Sequence, residues 1–294
     1  MQWRPVVQFE HDNTLTDVRR LGTDAGLQTD SDLQYVLVHG IGVGHHYLIP
    51  LAEALAGQGR TGGTEPEGPA RTEGTEPEGP ARIEGSGGVH VLELPGFGGT
   101  PTPPEPLTIE ELAAVVVAYV RETGLDRPVL VGHSMGAQVV IEAALQAPHL
   151  AGPVVSIGGV VDHGDRSPLR QGLRLLADFA LETPAANLAV FRDYVRTGPR
   201  RFLETVPTML DYPTEEAVLQ LQSPLLVIRG DRDPVARHDE ADQLARLAPV
   251  GRLVEIPGAH VVMFTSPDAV AEEIVTHALG RDASDGRTPE PVDG

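Results

Sequence analysis

Residues 129–145 read VLVGHSMGAQVVIEAAL, and no other stretch constrains the fold as tightly. An apolar run, Val129–Val131, leads into Gly132-His133-Ser134-Met135-Gly136, and a helical pattern begins at Ala137. A short run that is apolar on both faces suits the middle of a parallel sheet. A chain passing at once from such a strand into a helix needs a sharp turn with glycine on either side. That turn lifts the serine hydroxyl above the sheet and aims the helix N-terminus at negative charge developing there. G-x-S-x-G alone recurs by chance. With a strand before it and a helix after it, it makes Ser134 the candidate nucleophile.

The rest of the chain repeats the alternation. Tyr35–His39, Val89–Leu94, Val154–Ile157, Leu225–Arg229 and Leu253–Ile256 are apolar runs of strand length. Between them, Leu48, Leu51, Ala52 and Leu55 fall at helical spacing, as do Ile109, Leu112, Ala113, Val116, Val117 and Val120. Ala241, Leu244, Ala245 and Ala248 repeat the pattern, and Ser266-Pro267 opens a last helix carrying Val270, Ile274 and Ala278. Thr108 and Glu111 are spaced as a capping box. Alternation of this kind predicts a doubly wound α/β sheet. The more polar residues before Asp30 are expected to add an antiparallel edge.

Between about 162 and 222 the strands stop. Leu169, Leu173 and Leu176, then Leu188, Phe191 and Val195, then Phe202, Val206 and Met209 have helical spacing only. A helical block between two strands would sit over their C-terminal edge, where open α/β sheets bind ligands. Its aromatic and large apolar residues (Phe179, Phe191, Tyr194, Phe202, Met209) could line a pocket or simply pack the lid. The segment 59–88 differs in kind. TEPEGPARTEG at 64–74 and TEPEGPARIEG at 75–85 form a tandem repeat differing only at Thr72 and Ile83. Pro, Gly and Glu dominate it, so it lacks the apolar surface to offset its ordering entropy, and a disordered surface insertion is expected. The stretch 281–294 reads as a loose tail. The division is therefore a core of 1–161 with 223–280, a helical cap at 162–222, the insertion and the tail.

A serine hydroxyl needs a base, and the base needs an acid behind it. Two strands run into suitable residues: Leu225–Arg229 into Gly230-Asp231-Arg232-Asp233-Pro234, and Val254–Ile256 into Pro257-Gly258-Ala259-His260. His260 is the candidate base. Asp233 is preferred as its acid over Asp231, which abuts the strand end and suits a turn. Asp162 is a further alternative. The oxyanion donors are expected to be the backbone N–H groups of Met135 and Ile41, the latter on the loop His39-Gly40-Ile41-Gly42-Val43-Gly44, with Gly42 second. His45 stands where a phosphate-binding G-x-G-x-x-G would need its last glycine. His39 reads as a loop-stabilising hydrogen-bonder. His45, His46, His149 and His163 lack metal-ligand spacing, so neither a metal nor a cofactor is expected.

Composition narrows the classes. The chain has no cysteine, which removes disulfides, thiolate metal sites and a cysteine nucleophile. Net charge is −20, and all 22 basic residues are arginine. An acidic surface disfavours nucleic acid and anionic lipid, leaving a small-molecule substrate as the expected partner. Met1–Glu10 lacks a basic, then apolar, leader, and no run of about 18 apolar residues occurs. A soluble cytoplasmic protein is expected.

HGIGVG at 39–44, LPGFGGT at 94–100, GHSMGA at 132–137, GDRDP at 230–234 and PGAHVV at 257–262 resemble the capped α/β-hydrolase family, from about Gln34 to Leu279. The resemblance implies a mainly parallel eight-stranded sheet with a helical cap after the sixth strand. Thr100 stands where relatives usually carry serine. The implied activity is that of a serine hydrolase acting on an ester, lactone or thioester. A carbon–carbon bond hydrolase or a biosynthetic cyclase could use the same triad, and a non-catalytic ligand-binding protein could retain it. A scaffold acting through the acidic repeat would be a different class. Deleting 64–85 is expected to leave turnover intact while Ser134→Ala abolishes it, and a scaffold would give the reverse in a paired assay of the two variants.

Overall fold

The computed structural model describes residues 2–22, 33–58, 88–159, 174 and 177–280. The repeat, the tail, Asp162 and His163 lie outside the described residues. The apolar runs of the sequence become neighbours in one sheet. β4 (Tyr35–Val38), β6 (Val129–His133), β7 (Val154–Ile157) and β8 (Leu225–Gly230) are buried along their whole length. That is what covering both faces of a parallel sheet demands. β5 (Gly88–Glu93) joins β4 on one side, and β9 (Gly251–Ile256) closes the far edge, partly exposed until its last residue, Ile256, is buried. The polar start of the chain supplies β1 (Gln2–Trp3), β2 (Val7–His11) and β3 (Thr14–Gly22), all antiparallel.

The strand order is β1-β3-β5-β4-β6-β7-β8-β9, with β2 paired to β3. Among the described residues the sheet has nine strands where eight are expected, because the two-residue β1 adds to the edge. Order reverses at β4. The chain steps from β4 outward to β5 and then crosses back to β6 on β4's other side, so the loops leaving β4 and β6 diverge from a common crevice. Their register pairs Val38 with Gly132, so the chain leaves β4 and β6 within one residue of the same level.

Helices cover both faces. α2 (Ile109–Thr123), α3 (Met135–Gln146) and α7 (His238–Leu247) bury Val116, Val139 and Leu244 in one core. α1 (Ile49–Gln58) and the C-terminal α9 (Pro267–Ala278) bury Leu51 and Ile274 in the other. Between β7 and β8 the described chain is helical: 177–181, α4 (Pro184–Thr197), α5 (Pro199–Asp211) and the short α6 (Thr214–Val218). α8 (Val262–Thr265) precedes α9. Among the described residues no helix is long and apolar enough to cross a membrane.

Thr108 caps α2 as its spacing predicts. Its side chain accepts from Glu111 N–H (3.2 Å) while Glu111 accepts from Thr108 N–H (2.8 Å), and Gly124 ends the helix in the left-handed region. Thr108→Ala is expected to cost about 1 kcal/mol, read as a lowered midpoint in urea unfolding with an unchanged slope.

Candidate active site

Ser134 sits at the β6–α3 junction with φ 53° and ψ −117°, a left-handed conformation that costs a non-glycine residue on the order of 1–3 kcal/mol. Its N–H donates to Ile157 O (2.9 Å) and its carbonyl accepts from Ala137 N–H (3.0 Å), which holds the turn closed. The flanking glycines are there for contact. A Cβ on Gly132 would stand 2.1 Å from Gly136 O, and one on Gly136 would stand 2.4 Å from Val38 O. Met135 is the first residue of α3, so its N–H lies in the helical turn that has no partner four residues back.

Asp233 and His260 meet beside it. Asp233 Oδ2 lies 2.8 Å from His260 Nδ1, with both side chains buried. Asp233 Oδ1 accepts from the N–H groups of Val235 (2.7 Å) and Ala236 (3.0 Å), which fixes the carboxylate's rotation. An Nδ1–H bonded to Asp233 leaves the Nε2 lone pair free to take a proton. Burial works against protonation of His260, but the charge and hydrogen bond of Asp233, with Asp178 and Glu182 nearby, raise its pKa above the ordinary imidazole value. Asp231 does something else: its Oδ1 accepts from Gly258 N–H (2.9 Å), tying together the ends of β8 and β9. Arg229 braces the acid's loop, donating to the carbonyls of Ala236 (2.8 Å) and Asp233 (3.1 Å) and pairing with Glu255.

The loop 39–44 runs against the elbow, so close that a Cβ on Gly40 would stand 3.1 Å from Ser134 Cβ. Gly40 N–H donates to the Tyr47 hydroxyl (2.8 Å), and Gly44 N–H to Asp193 Oδ2 (3.0 Å). Ile41, between them, lines the same cavity as Ser134. His39 Nε2 accepts from Leu94 N–H (2.9 Å), so its Nδ1–H faces Gly40 O (2.8 Å), and burial lowers its pKa. It stabilises the loop, as expected. The Thr100 hydroxyl lies 2.8 Å from the carbonyls of Leu94 and Phe97 and so stays within the turn.

His133, the variable residue of the G-x-S-x-G motif, has a role that its position alone did not suggest. The Tyr47 hydroxyl, which already accepts from Gly40, lies 2.9 Å from His133 Nδ1, and His133 Nε2 lies 3.2 Å from His260 O. Burial pushes its pKa well below the ordinary value, so the ring is neutral, its Nε2–H donating to His260 O and its Nδ1 accepting from the Tyr47 hydroxyl. One buried chain of bonds thus links the 39–44 loop to the histidine loop.

The cavity above these groups is about 460 Å³, within the range of small-ligand sites. Ser134 and His260 form its floor. Phe179, Phe191, Tyr194 and Phe202 of the inserted helices line its walls, as do Asp178 and Glu182. Met209 is not among the lining residues; it packs into the core beside α3, its carbonyl accepting from Gln138 Nε2 (3.0 Å). Three further histidines among the described residues lie away from Ser134 and Asp233 in their bonding. His45 pairs with Glu93 Oε1 (3.0 Å), His46 with Asp193 Oδ1 (2.7 Å), and His149 faces solvent. No metal-competent cluster occurs among the described residues.

The sequence profile described as the alpha/beta hydrolase family matches residues 35–273. No curated protein matches the chain by sequence. Among solved structures, a hydrolase from Pseudomonas aeruginosa PA01 superposes with a TM-score of 0.69 at 18% identity, covering 94% of this chain and 98% of its own. The enol-lactonase from Burkholderia xenovorans LB400 gives 0.70 at 17% identity, over 95% and 100% of the two chains. A thioesterase domain from the curacin biosynthetic pathway gives 0.64 at 17%, over 94% and 100%. At these identities the likeness is one of fold.

The different bonding of the two aspartates generates a test. Asp233→Asn should slow phosphonylation of Ser134 by a fluorophosphonate on the order of 10³- to 10⁴-fold, because an amide cannot hold the histidine in its working tautomer. Asp231→Asn keeps an acceptor for Gly258 and should leave that rate nearly unchanged, both read as adduct formation over time by intact mass.

Proposed function

The chain belongs to the alpha/beta hydrolase family, and from that premise we propose that it is a serine hydrolase cleaving a carboxylic ester, lactone or thioester of a small organic substrate through an acyl-enzyme. The observation that carries this reading is a single one. Ser134, at the strained elbow, and His260, bonded through Nδ1 to a buried Asp233, open into the same cavity.

The chemistry follows from the placement. His260 Nε2 takes the proton of Ser134 Oγ as the oxygen attacks the substrate carbonyl. The oxyanion is met by the N–H groups of Met135 and Ile41. His260 then returns the proton to the departing alcohol, thiol or ring oxygen, leaving an ester on Ser134. Water, activated by the same imidazole, releases the acid and restores the serine. Asp233 stays ionised throughout and stabilises the imidazolium formed in each half-reaction.

The walls bear on the substrate. They are largely aromatic and aliphatic, and the charged groups among the described lining residues other than histidine are the carboxylates of Asp178 and Glu182. A substrate anion would lie beside these carboxylates, with no arginine among the described lining residues to neutralise it. An uncharged acyl group with an apolar body fits this lining best.

Covalent labelling tests the reading without a known substrate. A fluorophosphonate should add once to the wild-type chain and not to Ser134→Ala, and neutral esters, lactones and thioesters should then be turned over in preference to carboxylate-bearing analogues. Well-folded wild-type protein that takes no label, yet binds neutral lactones without consuming them, would replace the hydrolase with a ligand-binding protein. Cleavage of diketones alone would move the reaction to a carbon–carbon bond.

A further inference from the structure

His260 is anchored at its ring, its carbonyl and its N–H. The ring is held by Asp233 and the carbonyl by His133, both placed by strand ends. The N–H is held from elsewhere: it donates to Asp178 Oδ1 (2.9 Å), from a residue 82 positions away in the chain. The next N–H, of Val261, donates to Glu182 Oε1 (2.8 Å), 79 positions away. Asp178 lies in the helical stretch 177–181 and Glu182 at the bend before α4, both between β7 and β8, and both also line the cavity. Asp178 is buried and Glu182 half-buried.

This is an unusual use of acidic residues. A wall that merely covered the substrate would need apolar contacts with the core, and desolvating two carboxylates against the backbone of one loop costs free energy unless each is hydrogen-bonded. Each is. Burial raises the pKa of both, opposed by these same N–H bonds. The next helix of the insertion, α4, repeats the device. Asp193 of α4, fully buried, accepts from Gly44 N–H and from the His46 ring, and so holds the 39–44 loop.

We propose that Asp178 and Glu182 are positioning residues for His260: the insertion that walls the cavity also hangs the base in place and adds negative charge behind its imidazolium. The inference rests on the serine-hydrolase reading of Ser134 and His260. It has a geometric part, because small misplacements of a base are expensive in rate. It also has an electrostatic part. Among the described residues, the titratable groups that face His260 are Asp233, Asp178, Glu182 and the neutral His133. His260 must be neutral to accept the serine proton, so activity falls as pH drops through its pKa. Removing a carboxylate that raises this pKa must move that acid limb to lower pH.

Phosphonylation by a fluorophosphonate, measured on the full chain as maximal rate and half-saturating concentration across pH, separates the two parts. Asp178→Asn keeps an acceptor for His260 N–H but removes the charge, so its acid limb should shift to lower pH with the plateau nearly intact. Asp178→Ala removes both, and its plateau should also fall about tenfold with little change in half-saturation. Glu182→Gln and Glu182→Ala, at a half-buried position, should move the same quantities in the same directions and decide the matter if Asp178→Ala does not fold. Folded variants with the wild-type limb and plateau would overturn the inference while leaving the triad standing. Absence of any wild-type label would overturn the triad reading and this inference with it.

Discussion

Strand β6 and helix α3 touch backbone to backbone, and the site is arranged around that contact. With hydrogen in place of a side chain at 132 and 136, the carbonyls of Gly136 and Val38 come close enough to force Ser134 into a left-handed conformation. The strain is local, and the packing that sustains it is not. α3 buries Val139, Val140 and Ile141 against the sheet, and Ser134 N–H is tied to β7. The reversal of strand order then brings the 39–44 loop to the same point, so the candidate nucleophile and that loop meet at the crevice the topology opens.

Burial alone does not set the chemistry of the histidines gathered there. His39 and His133 are buried with hydrogen-bond partners that suit a neutral ring, and desolvation drives their pKa values down. His260 is as deeply buried, yet carboxylates on three sides reverse the direction. Two neutral imidazoles therefore build the frame and one basic imidazole works inside it. A comparable contrast operates at Glu93: burial alone would raise its pKa, but His45, His39 and a backbone N–H bring it down to about 2. That carboxylate fills the space beneath Gly44 and Gly98 and keeps the loop compact.

Some of this was readable before any coordinate. The elbow was, because its requirements are local: an apolar strand, glycines at the two crowded positions, a helix directly after. Asp233 and His260 were readable because each follows a strand end, and strand ends of a parallel sheet converge. The choice between Asp233 and Asp231 was only a preference from the sequence. The structure separates them by what each oxygen accepts, a histidine ring in one case and a loop N–H in the other. The inserted helices were less legible. Their periodicity marks an apolar face but not its partner, so Phe202 and Met209 looked alike although one lines the cavity and the other fills the core.

Sequence by itself determined the class of fold, the order of its elements and three candidate residues, Ser134, Asp233 and His260. These depend on hydrophobic period and on steric demands met within a few residues. Only the tertiary structure decided which polar groups surround those candidates. His133, Asp178, Glu182 and Asp193 carry no local signature of that role, since a lone polar or charged residue reads as easily as solvated surface. They become partners because the fold brings them to backbone groups tens of residues away that would otherwise be left unpaired, and an unpaired buried N–H or carbonyl is costly enough to select its partner.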